Sequence, residues 1–411
     1  MKVLLITSYY PPIITLLSTM MQEVAEGLSL HGHDVTIATL KPQDNLNLAP
    51  NVMGKEFATF SIEKNVRVIR VKTPPMKNKN HILRGLIDLI LPHIFITQIR
   101  KYFKGKFDVV IVSTPPLSLA VLGKMIKKNF TSKYILFVQD IYPQSLIDID
   151  VMKNKLIIKY FERIEKSVYE ASDFLTSHTQ GNRKFIIKNN NISPDKISYI
   201  PNWIDISPYR ERGKMGLFRK KFNLENKFIF LFAGNIGIGQ GLEFLIRALV
   251  IAKTIPDDIC FLIVGEGSEK KNIENIVKNF DHKHIIFKPF VSLEDYPFLA
   301  KDADVGIVCL NSRLKTPVVP GKLLGFMAAS LPVIGFLNKE SDGHIIIKEA
   351  GCGYSINSNS SPEKINNLIL KMKSEKDKLD RFGKNGYKYV LKNFNKSVCL
   401  DKINNLVNAT L

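Results

Sequence analysis

The sequence predicts an α/β protein of two doubly wound domains, each a mostly parallel sheet covered by helices on both faces. Three observations carry this. The chain has 411 residues, more than one hydrophobic core serves. Short apolar, β-branched runs alternate with helical stretches. The alternation then restarts after Pro201-Asn202-Trp203-Ile204-Asp205, in a polar, loop-like junction near residues 201–215. The expected division is 1–205 and 206–393, with a terminal helix over about 394–411 packing back on the first domain.

In the first half, Val3–Thr7 reads as a strand and Leu16–Leu30 as a helix, with Met20, Val24 and Leu28 on one stripe. Gly32 stops that helix before the strand Asp34–Thr39. Val66–Val71, Asp108–Val112, Tyr134–Val138 and Asp173–Thr176 follow as strands. Val66–Val71 carries Arg67 and Arg70, which predicts a place at the sheet edge. Most of the others are apolar throughout, the mark of a parallel sheet buried on both faces. In the second half Phe228–Ala233, Cys260–Val264, Ile285–Phe287, Asp304–Val308 and Pro332–Gly335 repeat the pattern. Two such domains facing each other predict a ligand cleft at the carboxyl ends of both sheets.

Composition narrows the class. A hydrophobic fraction of 45% describes a globular chain. Cys260, Cys309, Cys352 and Cys399 lie far apart, without metal-ligand spacing, and read as buried thiols of a cytoplasmic protein. The apolar start ends at Ser8-Tyr9-Tyr10-Pro11-Pro12, too early for a signal peptide. No uncharged apolar run approaches the roughly 20 residues of a spanning helix.

The formal charge is +20, concentrated between Glu63 and Lys133, where fifteen Lys and Arg meet only Glu63, Asp88 and Asp108. Such a field attracts polyanions. Nucleic acid is not the expected partner, since interleaved aromatics and a recognition module are missing. Within this region Ile82–Phe103 is apolar on nearly all sides, interrupted by Arg84, Asp88 and Pro92 and followed by Lys104 and Lys106. It reads as an interfacial contact with an anionic membrane over Ile82–Lys106, or as a buried helix pair bent at Pro92.

Three segments carry candidate chemistry. Gly234-Asn235-Ile236-Gly237-Ile238-Gly239-Gln240-Gly241 follows a buried strand and precedes the helical stretch Leu242–Lys253. Glycines let a backbone approach phosphate, and the next helix offers free N–H groups. Val264-Gly265-Glu266-Gly267-Ser268 repeats the logic, with Glu266 toward a ligand or Ser268 capping the next helix. In Arg313–Pro332, the cations Arg313, Lys315 and Lys322 surround a Pro-Gly turn into a helix, suited to a diphosphate leaving group or simply to solvent. The triplets Asp148–Asp150 and Asp302–Asp304 read as chance, and no metal is expected.

Over nearly the whole chain the sequence resembles retaining GT-B glycosyltransferases of family four. The nearest branch is the fucosamine-transferase-like enzymes of O-antigen and capsule assembly. The likeness rests on VLLITSYYPP, LHGHDVTIAT, DVVIVSTPPLSL, FVQDIYPQSL, IPNWID, FAGNIGIGQGLEFLIRAL, PGKLLGFMAASLPVIG and EAGCGYSI, in that order. It implies an acceptor-binding first domain and a second domain that binds a nucleotide sugar, most simply a UDP-sugar, with no cofactor. Lys322 and Arg313 would hold the diphosphate beside Leu323, with amides near Gly237–Gly241 helping. Phe290 and Val291 would line the base. Gln139 and Asp140 occupy the place of a residue touching the donor sugar, Asp140 handling a proton or merely capping a helix. The implied acceptor is a polyprenyl-diphosphate-linked saccharide, met at the inner face of the bacterial plasma membrane.

The sequence departs from that pattern in three places. The family's paired glutamates are replaced by Pro317 and Gly325, which moves the ribose contact elsewhere, with Glu266 as the substitute. Ile13-Ile14-Thr15-Leu16 stands where a glycine pair follows the Pro-Pro. Gln240 replaces a lysine after the glycine loop. A donor-site-degenerate scaffold subunit is the alternative function.

Overall fold

A computed structural model describes residues 1–13, 15–42, 55–74, 81–130, 132–210, 216–252, 255–280 and 283–410, excepting the side chains of 81–86. The chain separates into two compact units, each described by itself. The first comprises Met1–Gln144, Met152–Pro201 and Ser397–Leu411, and the second Ser145–Val151 and Asn202–Lys396.

The first unit holds β1 (Lys2–Thr7), β2 (Asp34–Leu40), β3 (Phe60–Glu63), β4 (Val66–Val71), β5 (Val109–Thr114), β6 (Lys133–Val138), β7 (Phe174–Ser177) and β8 (Ile197–Tyr199). They form one sheet in the order β3-β4-β2-β1-β5-β6-β7-β8, parallel except for the β3–β4 hairpin. The helices include α1 (Leu16–Leu30), α2 (His81–Tyr102), α3 (Leu117–Phe130), α5 (Lys155–Ala171) and α6 (Gln180–Asn190), whereas α4 (Gln144–Asp148) belongs, but for Gln144, to the second unit. Val3–Ile6 and Val109–Val112 are fully buried. Such strands form because β-branched side chains fit a pleat covered on both faces.

The arginines place β4 inside the sheet, contrary to the expected edge. Arg67 pairs with Asp34 on β2, and Arg70 lies 2.6 Å from Glu63 on β3. Burial would raise the Glu63 carboxyl, but hydrogen bonds from Arg70 and Ser61 outweigh it and hold the group below its ordinary value. β3 is therefore a covering strand whose carboxylate makes an interior arginine tolerable. The same pairings, with Lys127–Asp173 at 2.9 Å, neutralise part of the basic excess read from the sequence.

In the second unit β9 (Phe228–Ala233), β10 (Ile259–Val264), β11 (Ile285–Lys288), β12 (Val305–Cys309), β13 (Val333–Leu337) and β14 (Gly353–Asn357) form an all-parallel sheet ordered β11-β10-β9-β12-β13-β14. Its helices include α7 (Leu217–Lys221), α8 (Leu242–Val250), α9 (Lys270–Asn279), α10 (Tyr296–Lys301) and α11 (Gly321–Ala328). Then come α12 (Gly343–Ala350), α13 (Pro362–Ser374) and α14 (Lys376–Asn393). A last helix, α15 (Lys396–Asn408), lies almost wholly in the first unit. There Asn404 meets His33 at 2.9 Å, and Leu400 comes so close to Gly27 that a Cβ there would stand 3.0 Å from it.

The boundaries differ from 205/206 and 393/394 for identifiable reasons. Asn202–Asp205 joins the second unit because Ile204 N donates to Phe394 O at 3.0 Å and Lys396 binds Asp205. Ser145–Val151 joins it because Asp148 accepts from Lys315 N at 2.7 Å and Asp150 pairs with Arg313 at 2.5 Å. Part of the expected junction, 211–215, lies outside the described residues.

α2 is one continuous helix through Pro92 and not a pair of helices. Of its described apolar residues Ile87, Leu91, Phe95, Ile96 and Ile99 are buried while Leu89 and Ile90 are exposed, so one face of the helix enters the core. Ile82 and Arg84 belong to the side chains not described. No described helix is long and apolar enough to cross a membrane.

Candidate functional site

The strand order of the second sheet reverses between β9 and β12. At such a switch point the connections diverge to opposite faces and leave a crevice at the carboxyl ends of the strands. The loops after β9, β10 and β12 therefore decide what binds.

Those loops interlock. Gly234 N donates to Val264 O at 2.9 Å, Ile236 N to Glu266 O at 2.8 Å and Glu269 N to Ile236 O at 3.0 Å. Gly265 has φ +152, and a Cβ on it would stand 1.9 Å from Gly234 O. Only glycine allows that approach. Across the crevice Asn311 N donates to Gly239 O at 3.0 Å, and its side-chain amide to Ile238 O at 3.0 Å. Gly241, left-handed at φ 59, precedes α8 and offers no side-chain cap, so the first N–H groups of α8 lack a side-chain partner from it.

Lys322 is the second residue of α11. Its Nζ donates to Gln240 Oε1 and stands 4.1 Å from the centroid of the Phe232 ring. Burial pushes its pKa down to about 8, against a smaller opposing effect of Cys309. Among the described residues no carboxylate pairs with it. A desolvated ammonium held only by an amide oxygen and a ring face is short of negative charge. An anion beside it would supply that charge. The neighbouring Leu323 is buried.

The side chains of several other residues singled out in the sequence have different partners. Arg313, half exposed at 52%, is committed to Asp150. Lys315 is exposed, and its backbone N–H serves Asp148. Glu266 forms an ion pair with Lys270 at 2.6 Å. Phe290 is 52% exposed, whereas Val291 packs against the core. Asn235 is exposed, Gly237 stands within contact of its amide, and Gly239 faces open space. Ser268 does not cap α9, whose N-cap residue is Glu269 without a side-chain bond. The crevice thus gathers Gly234, Gly239, Gln240, Gly241 and Lys322; it does not gather Arg313 or Glu266.

Both Asp-x-Asp triplets are structural. Asp302 accepts from Gly216 N at 2.6 Å and Phe218 N at 2.7 Å at the start of α7, and Asp304 binds Ile229 N and Arg219, each at 2.7 Å. Asp148 and Asp150 serve the loop at Arg313–Lys315 as above. Among the described residues no group of three His, Cys, Asp or Glu could hold a metal ion.

Gly325 stands where the resembled pattern has a glutamate. A Cβ there would come 2.9 Å from the Tyr296 hydroxyl, so this tyrosine fills the space a longer side chain would enter. Sequence reading also missed Asn338. Its buried side-chain amide donates to Leu314 O at 2.9 Å and Thr316 O at 3.2 Å, fixing the loop between β12 and α11. An isolated asparagine after a strand gives no signal for that.

In the first unit Gln139 and Asp140 follow β6, and Gln139 N donates to Thr114 O at 3.0 Å. Asp140 does not cap α4, which starts at Gln144. Solvent reaches its side chain, yet desolvation raises its carboxyl above the usual value, with His178 opposing. His178, at the end of the neighbouring β7, was also missed, because a lone histidine after a strand is not distinctive. Of the first loop, Ile14 lies outside the described residues, and Thr15 caps α1 through Ser18 N at 3.1 Å.

Comparison with known proteins agrees with this architecture. Residues 17–208 match the family described as Glycosyltransferase Family 4, and residues 215–389 match Glycosyl transferases group 1. The chain is 24% identical to the uncharacterized glycosyltransferase MJ1069 of Methanocaldococcus jannaschii, over 96% of this chain and 95% of that protein. It is 23% identical to the putative colanic acid biosynthesis glycosyl transferase WcaI of Escherichia coli, over 80% of this chain and 81% of that protein. Among solved structures, Anabaena Alr3699/HepE in complex with UDP-glucose superposes with a TM-score of 0.73 at 13% identity, covering 100% of both chains.

Proposed function

The chain belongs to the GT-B glycosyltransferases, a family 4 half followed by a group 1 half, and on that premise we propose that it builds bacterial surface polysaccharide. In this reading a sugar passes from a nucleoside-diphosphate donor, a UDP-sugar, to a polyprenyl-diphosphate-linked saccharide at the inner face of the plasma membrane. The second unit takes the donor and the first the acceptor. The fucosamine-transferase-like likeness favours an N-acetylated amino or deoxy-amino sugar, transferred with retention, in O-antigen or capsule assembly. The relation to WcaI supports the polysaccharide assignment, and UDP-glucose in the HepE structure supports the donor class.

The observation that carries the reading is the uncompensated Lys322 at the β9–β12 switch point. When the bond between the sugar and the diphosphate breaks, its electron pair stays on the phosphate oxygen. A nearby ammonium and free helical N–H groups stabilise that charge more than the ground state, which lowers the barrier. The acceptor hydroxyl must lose a proton as it bonds to the sugar. Asp140, with its raised carboxyl beside His178, is assigned to contact the sugar or take that proton, with Gln139 next to it.

The test is acceptor-dependent release of nucleoside diphosphate from a panel of nucleotide sugars, with lipid-linked saccharides as acceptors. Turnover with a UDP-sugar supports the reading, and silence across the panel removes it. A second reading, a scaffold subunit lacking donor binding, draws on Tyr296 filling the space at Gly325 and on Arg313 being neutralised by Asp150. Calorimetry that detects no nucleotide binding would select it.

A further inference from the structure

α5 carries apolar residues on two opposite faces. Phe161, Val168 and Tyr169 pack into the first unit's core. Away from that face Leu156 and Tyr160 are exposed, Leu156 at 80%, and Ile157, one turn before Phe161 on the core stripe, is itself 47% exposed at the open end of the helix. Leu156 and Tyr160 are one helical turn apart and form a stripe. Lys153, Lys155, Lys159 and Arg163 stand around it, all exposed, and among the described residues none of them has an ion pair. The local acids are fewer, Glu162 exposed nearby and Glu170 paired with Lys166 at 4.0 Å.

A second exposed pair belongs to the same layer. α2, α3 and α5 pack side by side on one face of the sheet. Leu89, 54% exposed, and Ile90 lie in the first half of α2. Tyr142, beside the start of α5, links the two: it stacks edge-on against Phe161 with centroids 5.3 Å apart, and the Asp88 carboxylate raises its hydroxyl after burial does. In a parallel α/β unit the starts of these helices lie at the carboxyl end of the sheet, where Asp140 also lies.

We propose that the outer face of the first two turns of α5, with Leu89 and Ile90 of α2, is a docking surface for an anionic lipid bilayer. The charge pattern chooses the occupant: apolar side chains enter the acyl boundary while flanking lysines and arginine meet phosphate headgroups. The surface rests on the lipid-linked acceptor reading and adds to it the means by which the first unit meets its substrate. It also extends the expected membrane contact beyond the exposed Leu89 and Ile90 of α2 to the stripe on α5.

The test is sedimentation of the full chain with vesicles of phosphatidylcholine alone and of an equal mixture with phosphatidylglycerol. The wild type should partition onto the mixed vesicles at least about tenfold more strongly, because each basic residue near an anionic surface contributes about fivefold. The triple variant Leu156→Ser, Ile157→Ser, Tyr160→Ser should lose at least about tenfold of that partition. UDP binding by the second unit and the thermal midpoint are expected to stay unchanged, which shows the variant folded. Lys155→Glu with Lys159→Glu should lose a similar amount by the independent route of charge. Equal partition onto both vesicle types, or full partition of the triple variant, overturns the surface. Loss of a dimer in that variant with vesicle binding intact assigns the face to a second copy of the chain and also overturns it. A wild type that binds UDP but no vesicles refutes docking alone; one that binds vesicles but no UDP refutes the donor reading alone.

Discussion

At the scale of the residue, two buried ionisable groups have consequences that titration reaches. Lys322 is held near a pKa of about 8 by burial. Its folded value lies below the unfolded one, so the cation is disfavoured by the fold and is lost as pH rises through about 8. A bound diphosphate would restore it. UDP affinity should therefore fall between pH 7 and pH 9.5, approaching tenfold per unit, while Lys322→Arg should flatten the profile. Calorimetry across that range checks it; an identical slope in both proteins would assign the titration elsewhere. Glu165 is buried on α5 beside Tyr169, and desolvation raises its carboxyl to about 7. For an acid with a raised folded value, ionisation destabilises the fold progressively from about pH 4.5 to 7. Glu165→Gln should then stabilise the protein at pH 8 by at most about 2–3 kcal/mol and change little at pH 4.5. Thermal unfolding at the two pH values measures this. Glu165 was not legible in the sequence, since it looks like any polar helix residue; Lys322 was, as a cation equivalent to Arg313, and what separates the two is the pairing of Arg313 with Asp150.

At the scale of the element, the apolar runs revealed the long buried strands to within a residue or two at their ends, because strands covered on both faces write themselves as continuous hydrophobic sequence. The short strands β3, β8 and β14 were not legible. β3 alternates weakly and exists to cover β4 and neutralise Arg70, and β8 spans only three residues. The glycine loops were readable as loops, but their mutual contact was not. That contact makes a sharp prediction. Gly265→Ala would force a Cβ against the Gly234 carbonyl at a φ of +152, and should cost more than about 3 kcal/mol in urea unfolding. Gly239→Ala, with open space around it, should cost less than about 1 kcal/mol. Equal effects would mean that the loops do not interlock. The periodicity of α5 disclosed an amphipathic helix but not its second, outward apolar stripe, since a pattern says which faces are apolar and not whether anything covers them.

At the scale of the whole molecule, the two-unit plan was legible, and the return of Ser145–Val151 to the second unit was not. The partners of Asp148 and Asp150 lie more than a hundred residues away, at Lys315 and Arg313. The same contacts, with those of Asp302 and Asp304, commit the carboxylates of both Asp-x-Asp triplets to protein partners. Transfer is accordingly expected to proceed at an unchanged rate in excess EDTA; a rate restored only by added metal would contradict this. The central claim is that the second unit carries a nucleoside-diphosphate site built on Lys322. Its most direct test is calorimetric titration of UDP into the wild type and Lys322→Ala. Saturable binding to the wild type, weakened by about 1–3 kcal/mol in the variant, is the predicted result. An unchanged dissociation constant in the variant, or no heat of binding to the wild type, would contradict it.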